Sequence, residues 1–338
     1  MRNTQPKQQL GLAIAVHWLH QLARATGLNR LDVCAALSGG CDSSVLLHLL
    51  HAARSEPQSH VQFTLKAVHV HHGLSPNADQ WARHCRALCR NLDIPLSVRK
   101  VNVSRAVGSS LEEQARLARY AVFRQQKAPV LALAQHANDQ AETVLLQMLR
   151  GAGPKGMAGM GSLARLAGLS PEPAHWLWRP LLGVSRPAIE RYAILHDIKW
   201  IEDESNVNEN LSRNRLRKRV MPALEAAFPQ ALSTIGRSAR NLADAALLCQ
   251  DLADMDLANA RLSASKLAVP ALQPLPTHRL KNLLRRWLEG FGLRAPSETR
   301  LSALVQALYQ TNNDTRLTWI HDGWQIERKK GELCAVPK

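Results

Sequence analysis

The sequence predicts an α/β chain: a parallel sheet with helices on both faces, followed by a mainly helical α+β carboxyl-terminal domain. Three observations predict it. Apolar runs of strand length at 33–37, 64–70, 96–103 and 129–134 alternate with helical patterns beginning near 45 and at 77–92, 109–126 and 138–150. That alternation buries parallel strands beneath helices. The segments SGGCDS, HHGLS and HANDQAET follow three of those strands, at the strand ends where open parallel sheets hold their ligands. Finally, 338 residues are enough for two domains, and Pro270, Pro274 and Pro276 interrupt the pattern late in the chain. The expected organisation is a catalytic amino-terminal domain over 1–228, a connecting helix over 229–262 and a smaller domain over 263–338.

The first strand, Val33 to Leu37, runs into Ser38-Gly39-Gly40 and then the apolar helical face from Val45 to Leu50. Glycines without Cβ let backbone amides approach an anion, and the start of the next helix adds its positive dipole end. Asp42 would repel a bare phosphate, so its presence calls for a divalent cation between the two. The bland account is a glycine turn with Ser43 capping an ordinary helix. The Walker pattern G-x-x-x-x-G-K-[ST] is absent.

A net charge of +16 and a pI near 10.2 point to a polyanionic partner, most simply nucleic acid. No apolar stretch reaches the length of a membrane span, and His17, His20, Gln21 and Arg24 break the moderately apolar segment 11–24. The expectation is a cytoplasmic protein without membrane contact. Six cysteines at 34, 41, 85, 89, 249 and 334 include no C-x-x-C, so neither a disulfide framework nor a zinc ribbon is indicated. A metal site built from His69, His71, His72, His84, Cys85 and Cys89 is disfavoured, because alternation along a strand puts His69 and His71 on one face and His72 on the other. Cys41 lies within the glycine loop and is assigned no chemistry.

Further along, 111–123 reads as an amphipathic helix with Leu111, Ala115, Ala118 and Val122 inward and a Glu112–Arg116 pair. Asp139 and Glu142, three apart, share a face on the first turn of the helix after strand 129–134, where carboxylates also suit capping. The glycine-rich stretch 151–163 is linker-like. Trp176 and Trp178 read as core or rim rather than base-stacking platforms; Trp200 is left open. Arg213, Arg215, Arg217, Lys218 and Arg219 put five cations within seven residues, a density that calls for a polyanion. A long helix over 230–260, two helices from 278 onward and a β meander over 315–337 complete the chain.

Taken in order, these segments resemble one family. SGGCDS is similar to the S-G-G-x-D-S loop of PP-loop ATP pyrophosphatases, a Rossmann-like superfamily that cleaves ATP between its α- and β-phosphates. HVHHGLS resembles the H-V-N-H-G-L-R segment of tRNA(Ile)-lysidine synthases, with His71 in place of asparagine. Arg116, Arg119 and Tyr120 match an A-R-x-x-R-Y helix that borders the nucleotide site in the family. HANDQAET and LRGAG match H-x-D-D-Q-x-E-T and L-x-R-G-x-G, with Asn138 replacing the first aspartate, and Arg213, Asn214, Leu216 and Arg217 match R-N-x-L-R. The resemblance spans about residues 30–330 and includes the family's first substrate-binding domain; a further carboxyl-terminal domain of longer members is not visible in this sequence.

The resemblance implies an ATP-dependent ligase that joins L-lysine to C2 of the wobble cytidine in the CAU anticodon of tRNA(Ile), through an adenylated cytidine. Codon reading then changes from AUG to AUA. On that basis Ser38, Gly39, Gly40, Cys41, Asp42, Ser43, His136 and Arg116 are expected at ATP. Asp42 and Asp139 are expected at Mg²⁺ and in catalysis, Asp139 also as a base for the amine. Arg119, Arg150, Lys155, Arg213, Arg215, Arg217, Lys218 and Arg219 are expected on the tRNA. The stretch 151–163 is expected to be a mobile lid, and Asp203, Glu204 and Asn206 are guessed to meet the amine. Whether the chain forms a homodimer is left open. The rival readings are another PP-loop tRNA-modifying enzyme such as a thiolase, which normally asks for a cysteine pair, an amidotransferase-coupled synthetase, which needs a glutaminase half, and a noncatalytic RNA-binding protein.

Overall fold

The computed structural model describes residues 10–28, 30–56, 61–103, 111–166, 175–202, 212–310 and 317–338. The chain folds as two compact units, residues 1–240 and 241–338. The first runs α1 (Leu12–Thr26), β1 (Leu31–Ala36), α2 (Cys41–Arg54), β2 (Phe63–His71), α3 (Ala78–Asn91), β3 (Leu96–Lys100), α4 (Leu111–Arg124), β4 (Val130–Ala132) and α5 (Ala137–Leu149). It continues with α6 (Pro154–Met157), β5 (Leu163–Leu166), β6 (His175–Trp178), α7 (Arg186–Leu195), α8 (Ser212–Arg215), a π-helical turn Leu216–Val220, α9 (Met221–Ala227) and the start of α10 (Ala231–Ala260).

Alternate residues of the strands enter different cores, as the period of two requires. Val33 and Ala35 of β1 and Val130 and Ala132 of β4 pack with α1, α2 and α7 on one face. Cys34 and Leu131 pack with Val122 and Phe123 of α4 on the other. Being covered on both sides, these strands read as continuous apolar runs.

The sheet order is β3-β2-β1-β4-β6-β5. All pairings are parallel except β5–β6. The expected parallel sheet is thus present, with one antiparallel strand, β5, at its edge. Neither β5 nor β6 was expected as a strand: each is only four residues long, and the two tryptophans of HWLW drew attention to side chains rather than to pairing. Trp178 is buried and Trp176 packs against the core beneath Arg165. The chain moves to β2 on one side of β1 and to β4 on the other. The crevice outside the carboxyl ends of β1 and β4 is therefore the switch point at which such sheets bind ligands.

The second unit contains the end of α10, β7 (Arg261–Ser263), β8 (Lys266–Ala268), α11 (Val269–Leu272), α12 (Thr277–Glu289), α13 (Glu298–Gln310), β9 (Thr318–His321), β10 (Trp324–Lys329) and β11 (Glu332–Pro337). The meander β9–β10–β11 belongs to a larger antiparallel sheet ordered β7-β8-β11-β10-β9. Leu280, Leu283, Leu284, Trp287 and Leu288 of α12 join Leu301, Leu304, Val305 and Leu308 of α13 and Ile326 and Leu333 of the sheet in one core. Trp287 Nε1 donates to the Ala264 carbonyl at 3.1 Å, so this large ring is buried with its polar atom satisfied.

Candidate active site

The glycine loop leaves β1 through Leu37, whose amide still donates to the Val68 carbonyl at 2.9 Å and whose carbonyl accepts from His69 Nδ1 at 2.9 Å. Gly39 takes φ +93°, and a Cβ there would meet Cys85 Sγ at 3.2 Å. Strain and crowding both restrict this position to glycine. The Gly39 carbonyl accepts from the Ile201 amide at 2.9 Å, which pins the loop from behind. The Ser43 hydroxyl is buried within the turn, accepting from the Ser38 amide at 3.2 Å and donating to the Gly40 carbonyl at 3.0 Å, with Ser38 Oγ 2.9 Å away. Ser43 therefore shapes the loop. It is also not the N-cap: α2 starts at Cys41, its N-cap is Gly40, and no side chain caps its first amides.

Asp42 sits in that first turn. Its Oδ1 is buried with no hydrogen-bond partner, an arrangement that is unfavourable unless a ligand completes it. Its Oδ2 lies 3.6 Å from His136 Nε2 and 3.8 Å from Arg186 Nη1. Burial alone raises a carboxyl pKa. Here the His136 imidazole and the charges of Arg186 and Arg217 outweigh it and hold Asp42 below the ordinary carboxylate value. A half-buried, ionised carboxylate with one buried oxygen to spare at an uncapped helix start fits a hard divalent cation.

Across the switch point, α5 begins with a capping box. His136 Nδ1 accepts from the Asp139 amide at 3.4 Å, and Asp139 Oδ2 accepts from the His136 amide at 3.0 Å. Asp139 Oδ1 accepts from Arg213 Nη2 at 3.0 Å and Arg217 Nη2 at 3.3 Å. Both oxygens are engaged within the protein, so Asp139 lacks the spare acceptor that Asp42 keeps. His136 is buried and braces Asp42 and Asp139.

Glu142, one turn on, is 1 % exposed and accepts from Arg213 Nε at 2.6 Å and from Arg217 Nε at 2.6 Å. The π-helical turn brings Arg217 to the same acids that Arg213 reaches from α8. These two arginines are consequently ion-paired within the unit. Arg215, Lys218 and Arg219 of the same run are exposed.

A cavity of about 200 Å³ opens beside this network, lined by His136, Asn138, Glu142, Arg186, Arg217, Met221, Pro222 and Glu225. Asn138 Oδ1 accepts from the Arg186 amide at 3.0 Å, tying the first turn of α5 to that of α7. The sequence reading missed Glu142, Arg186 and Glu225 as site residues. The spacing of Asp139 with Glu142 and of Arg213 with Arg217 was visible, but their mutual pairing spans more than seventy residues.

The remaining expected residues are dispersed. Arg116 is exposed on α4, with its guanidinium 4.8 Å from the centre of the Tyr120 ring. Arg119 is exposed on the same helix; burial, and after it the Arg119 charge, pushes the His72 pKa down to about 4. Arg150 and Lys155 are exposed. Two residues of the glycine-rich stretch, Met160 and Gly161, are hydrogen-bonded through their backbone to buried side chains. Gln140 donates to the Met160 carbonyl at 3.0 Å and accepts from its amide at 2.8 Å, while Arg179 Nη1 donates to the Gly161 carbonyl at 2.9 Å. Asp203, Glu204 and Asn206 lie outside the described residues. Cys41 is buried, and desolvation with its acidic neighbours pushes its thiol up to about 11. Cys34 and Cys85 rise to about 12 and Cys89 to about 11, chiefly by burial. None of these four is poised as a thiolate. Among the described residues no helix is long and apolar enough to cross a membrane.

Residues 14–224 match the PP-loop domain, and residues 267–334 match the TilS substrate binding domain. The chain is 42% identical over 323 residues to the tRNA(Ile)-lysidine synthase of Chromobacterium violaceum, covering 95% of this chain and 71% of that protein. It is 41% identical to the Pseudomonas aeruginosa enzyme of the same name, covering 90% and 69%. Among solved structures, the U34-tRNA thiolase NcsA from Methanococcus maripaludis superposes with a TM-score of 0.53 at 19% identity, over 68% of this chain and 78% of that one; this likeness is one of fold. With a PP-loop core and the substrate-binding domain that follows it, the chain belongs to the tRNA(Ile)-lysidine synthase family.

Proposed function

We propose that this protein is an ATP-dependent ligase that joins L-lysine to C2 of the wobble cytidine in the CAU anticodon of tRNA(Ile), in the cytoplasm. The observation that carries the reading is the unsatisfied Asp42 oxygen at the uncapped start of α2, where ATP with Mg²⁺ completes what the protein leaves open. The Gly39–Gly40 turn and the first amides of α2 receive the phosphates, and Asp42 holds the metal. Mg²⁺ there supplies charge neutralisation for the departing pyrophosphate.

The cytosine C2 oxygen attacks the α-phosphorus, and the α–β phosphoanhydride bond breaks. The oxygen becomes part of an adenylate and pyrophosphate leaves. The lysine ε-amine then attacks C2, the C2–O bond breaks, and AMP departs while the amine gives up a proton. We assign the cavity beside Asp42 to lysine. Glu225 provides negative charge for its ammonium groups, and Arg186 positive charge for its carboxylate. Arg213 and Arg217 keep Asp139 and Glu142 in place rather than touching RNA. The exposed Arg119, Arg150, Lys155, Arg215, Lys218 and Arg219 face the tRNA backbone.

The buried, protonated thiols argue against the thiolase alternative. Mass spectrometry of a CAU-anticodon transcript incubated with Mg²⁺-ATP and single amino acids tests the proposal. A lysine adduct at the wobble cytidine is expected. An unmodified transcript, or an adduct with a different amine, would overturn it.

A further inference from the structure

A second concavity lies further along α5. It measures about 300 Å³ and is lined by Leu146, Leu149, Arg150, Arg215, Leu216 and Val220. Its floor is apolar, since Leu216 is buried against Ala141 and Met221. Its walls are apolar yet exposed: Leu149 is 77 % and Val220 48 % accessible. Leu149 is followed immediately by Arg150 at the C-cap of α5. The helix dipole accounts for a cation there, but not for the leucine beside it. Exposed apolar surface rimmed by polar groups marks a binding groove.

The groove is at the lower end of the volumes that hold small ligands, too small for a docked helix and suited to one planar group. The two guanidiniums at its rim have no carboxylate partner among the described residues. An apolar slot between two cations complements a base flanked by phosphates. Its position adds a second reason. Glu142 and Arg217 line the lysine cavity, whereas Leu146 and Leu149 of the same helix and Leu216 and Val220 of the same π-helical turn line the groove. At about 1.5 Å rise per residue, the groove lies roughly 6–12 Å along α5 from Glu142. That is the reach of a neighbouring nucleotide on an unstacked strand whose cytidine occupies the reacting site.

We propose that this groove receives an unstacked nucleobase next to the reacting cytidine, with Arg150 and Arg215 on its phosphates. Extruded bases are held between apolar or aromatic side chains in this way. The proposal rests on the tRNA-substrate reading above. It adds a site at which the anticodon loop is opened and held.

The test measures the affinity of the full-length protein for a CAU-anticodon transcript and for two transcripts abasic at either neighbour of the wobble cytidine. Leu149→Ser is expected to weaken the intact transcript roughly 5- to 50-fold. For one of the abasic transcripts it should have no further effect, because the contact is already gone. Leu149→Met should restore affinity, and Arg215→Ala should lower the salt dependence by about one phosphate contact. Thermal stabilisation by Mg²⁺-ATP confirms that each variant is folded. Additive losses on both abasic transcripts, or intact-transcript affinity unaltered by Leu149→Ser, overturn the proposal; the second outcome is also what a protein partner at the groove would give. Wild-type protein that binds the transcript but forms no lysine adduct overturns the ligase reading alone. Wild-type protein that binds no transcript overturns both.

Discussion

Asp42 and Asp139 stand on either side of one imidazole, 3.6 and 3.5 Å from His136 Nε2, at the ends of neighbouring strands. Both occupy the first turn of a helix, and both sit in segments that match a family motif. Asp42 nonetheless keeps a buried oxygen with no partner, while Asp139 spends both oxygens on the His136 amide and two guanidiniums. Position at a strand end makes an acid a candidate for chemistry. What separates the two is how much hydrogen-bonding capacity the fold has already consumed. On the Asp139 side the protein builds a rigid wall, and on the Asp42 side it leaves a seat.

The largest effect is expected from breaking the wall. Glu142 is buried between Arg213 and Arg217, so Glu142→Ala leaves two guanidiniums without their main counter-charge. Removing one partner from a buried ion pair costs about 3–5 kcal/mol, read as lost stability in urea titration. Glu142→Gln should lose less because it keeps an acceptor. An unchanged midpoint for Glu142→Ala would mean that the network does not hold the site together.

Asp42→Asn is the converse, acting on the seat. Turnover should fall by roughly 10²- to 10³-fold, the scale of removing one group that stabilises developing charge. Affinity for tRNA should stay within about twofold, and the rise in Tm with Mg²⁺-ATP should disappear. The pH dependence has a defined sign. A carboxyl held below its unfolded value, about 3.9, contributes stability above that value and loses it as pH falls through the folded one. Wild type should therefore exceed Asp42→Asn in stability near neutral pH, with the gap closing below about pH 4. A gap that widened on acidification would contradict the ion contacts of Asp42.

Asp139→Asn should be milder in turnover. It weakens the capping box and one contact to each arginine, a loss of about 1–2 kcal/mol in stability, with turnover reduced far less than by Asp42→Asn. If the two substitutions instead abolished turnover equally while Asp139→Asn left stability untouched, Asp139 would regain the metal or base role and the contrast would fail.

The sequence made the sheet core and the seat legible because their signals are local. Val33 to Leu37 is a continuous apolar run, Gly39 and Gly40 follow it, and Asp42 lies two residues beyond. The wall was not legible, because Glu142 meets Arg213 and Arg217 only after α5 packs against α8 and the π-helical turn. A dense run of cations looks alike whether it faces solvent, RNA or buried acids, and this run divides its members between the protein and the surface. The strands β5 and β6 escaped for another reason. Four-residue strands carry too few periods to register, and their identity comes from pairing, β6 with β4 and β5 with β6. In the second unit the same holds for β7 and β8, three residues each.

The smallest expected effect concerns the residue between seat and wall. Asn138 lines the cavity proposed for lysine, and its Oδ1 accepts from the Arg186 amide at the first turn of α7. The family pattern has aspartate at this position, and the carboxylate introduced by Asn138→Asp would accept the same bond. The added charge would gain about 0.3–1 kcal/mol from the start of α7, offset by repulsion from Asp42, Asp139 and Glu142 close by. Net stability should therefore move by less than about 1 kcal/mol, with kcat nearly unchanged. Its effect should fall on lysine, whose ammonium groups gain a further negative neighbour, lowering KM for lysine about two- to fivefold. A tenfold change in kcat with unchanged KM would instead place position 138 at the reacting atoms, and the division between one open carboxylate and one saturated one would have to admit a third participant.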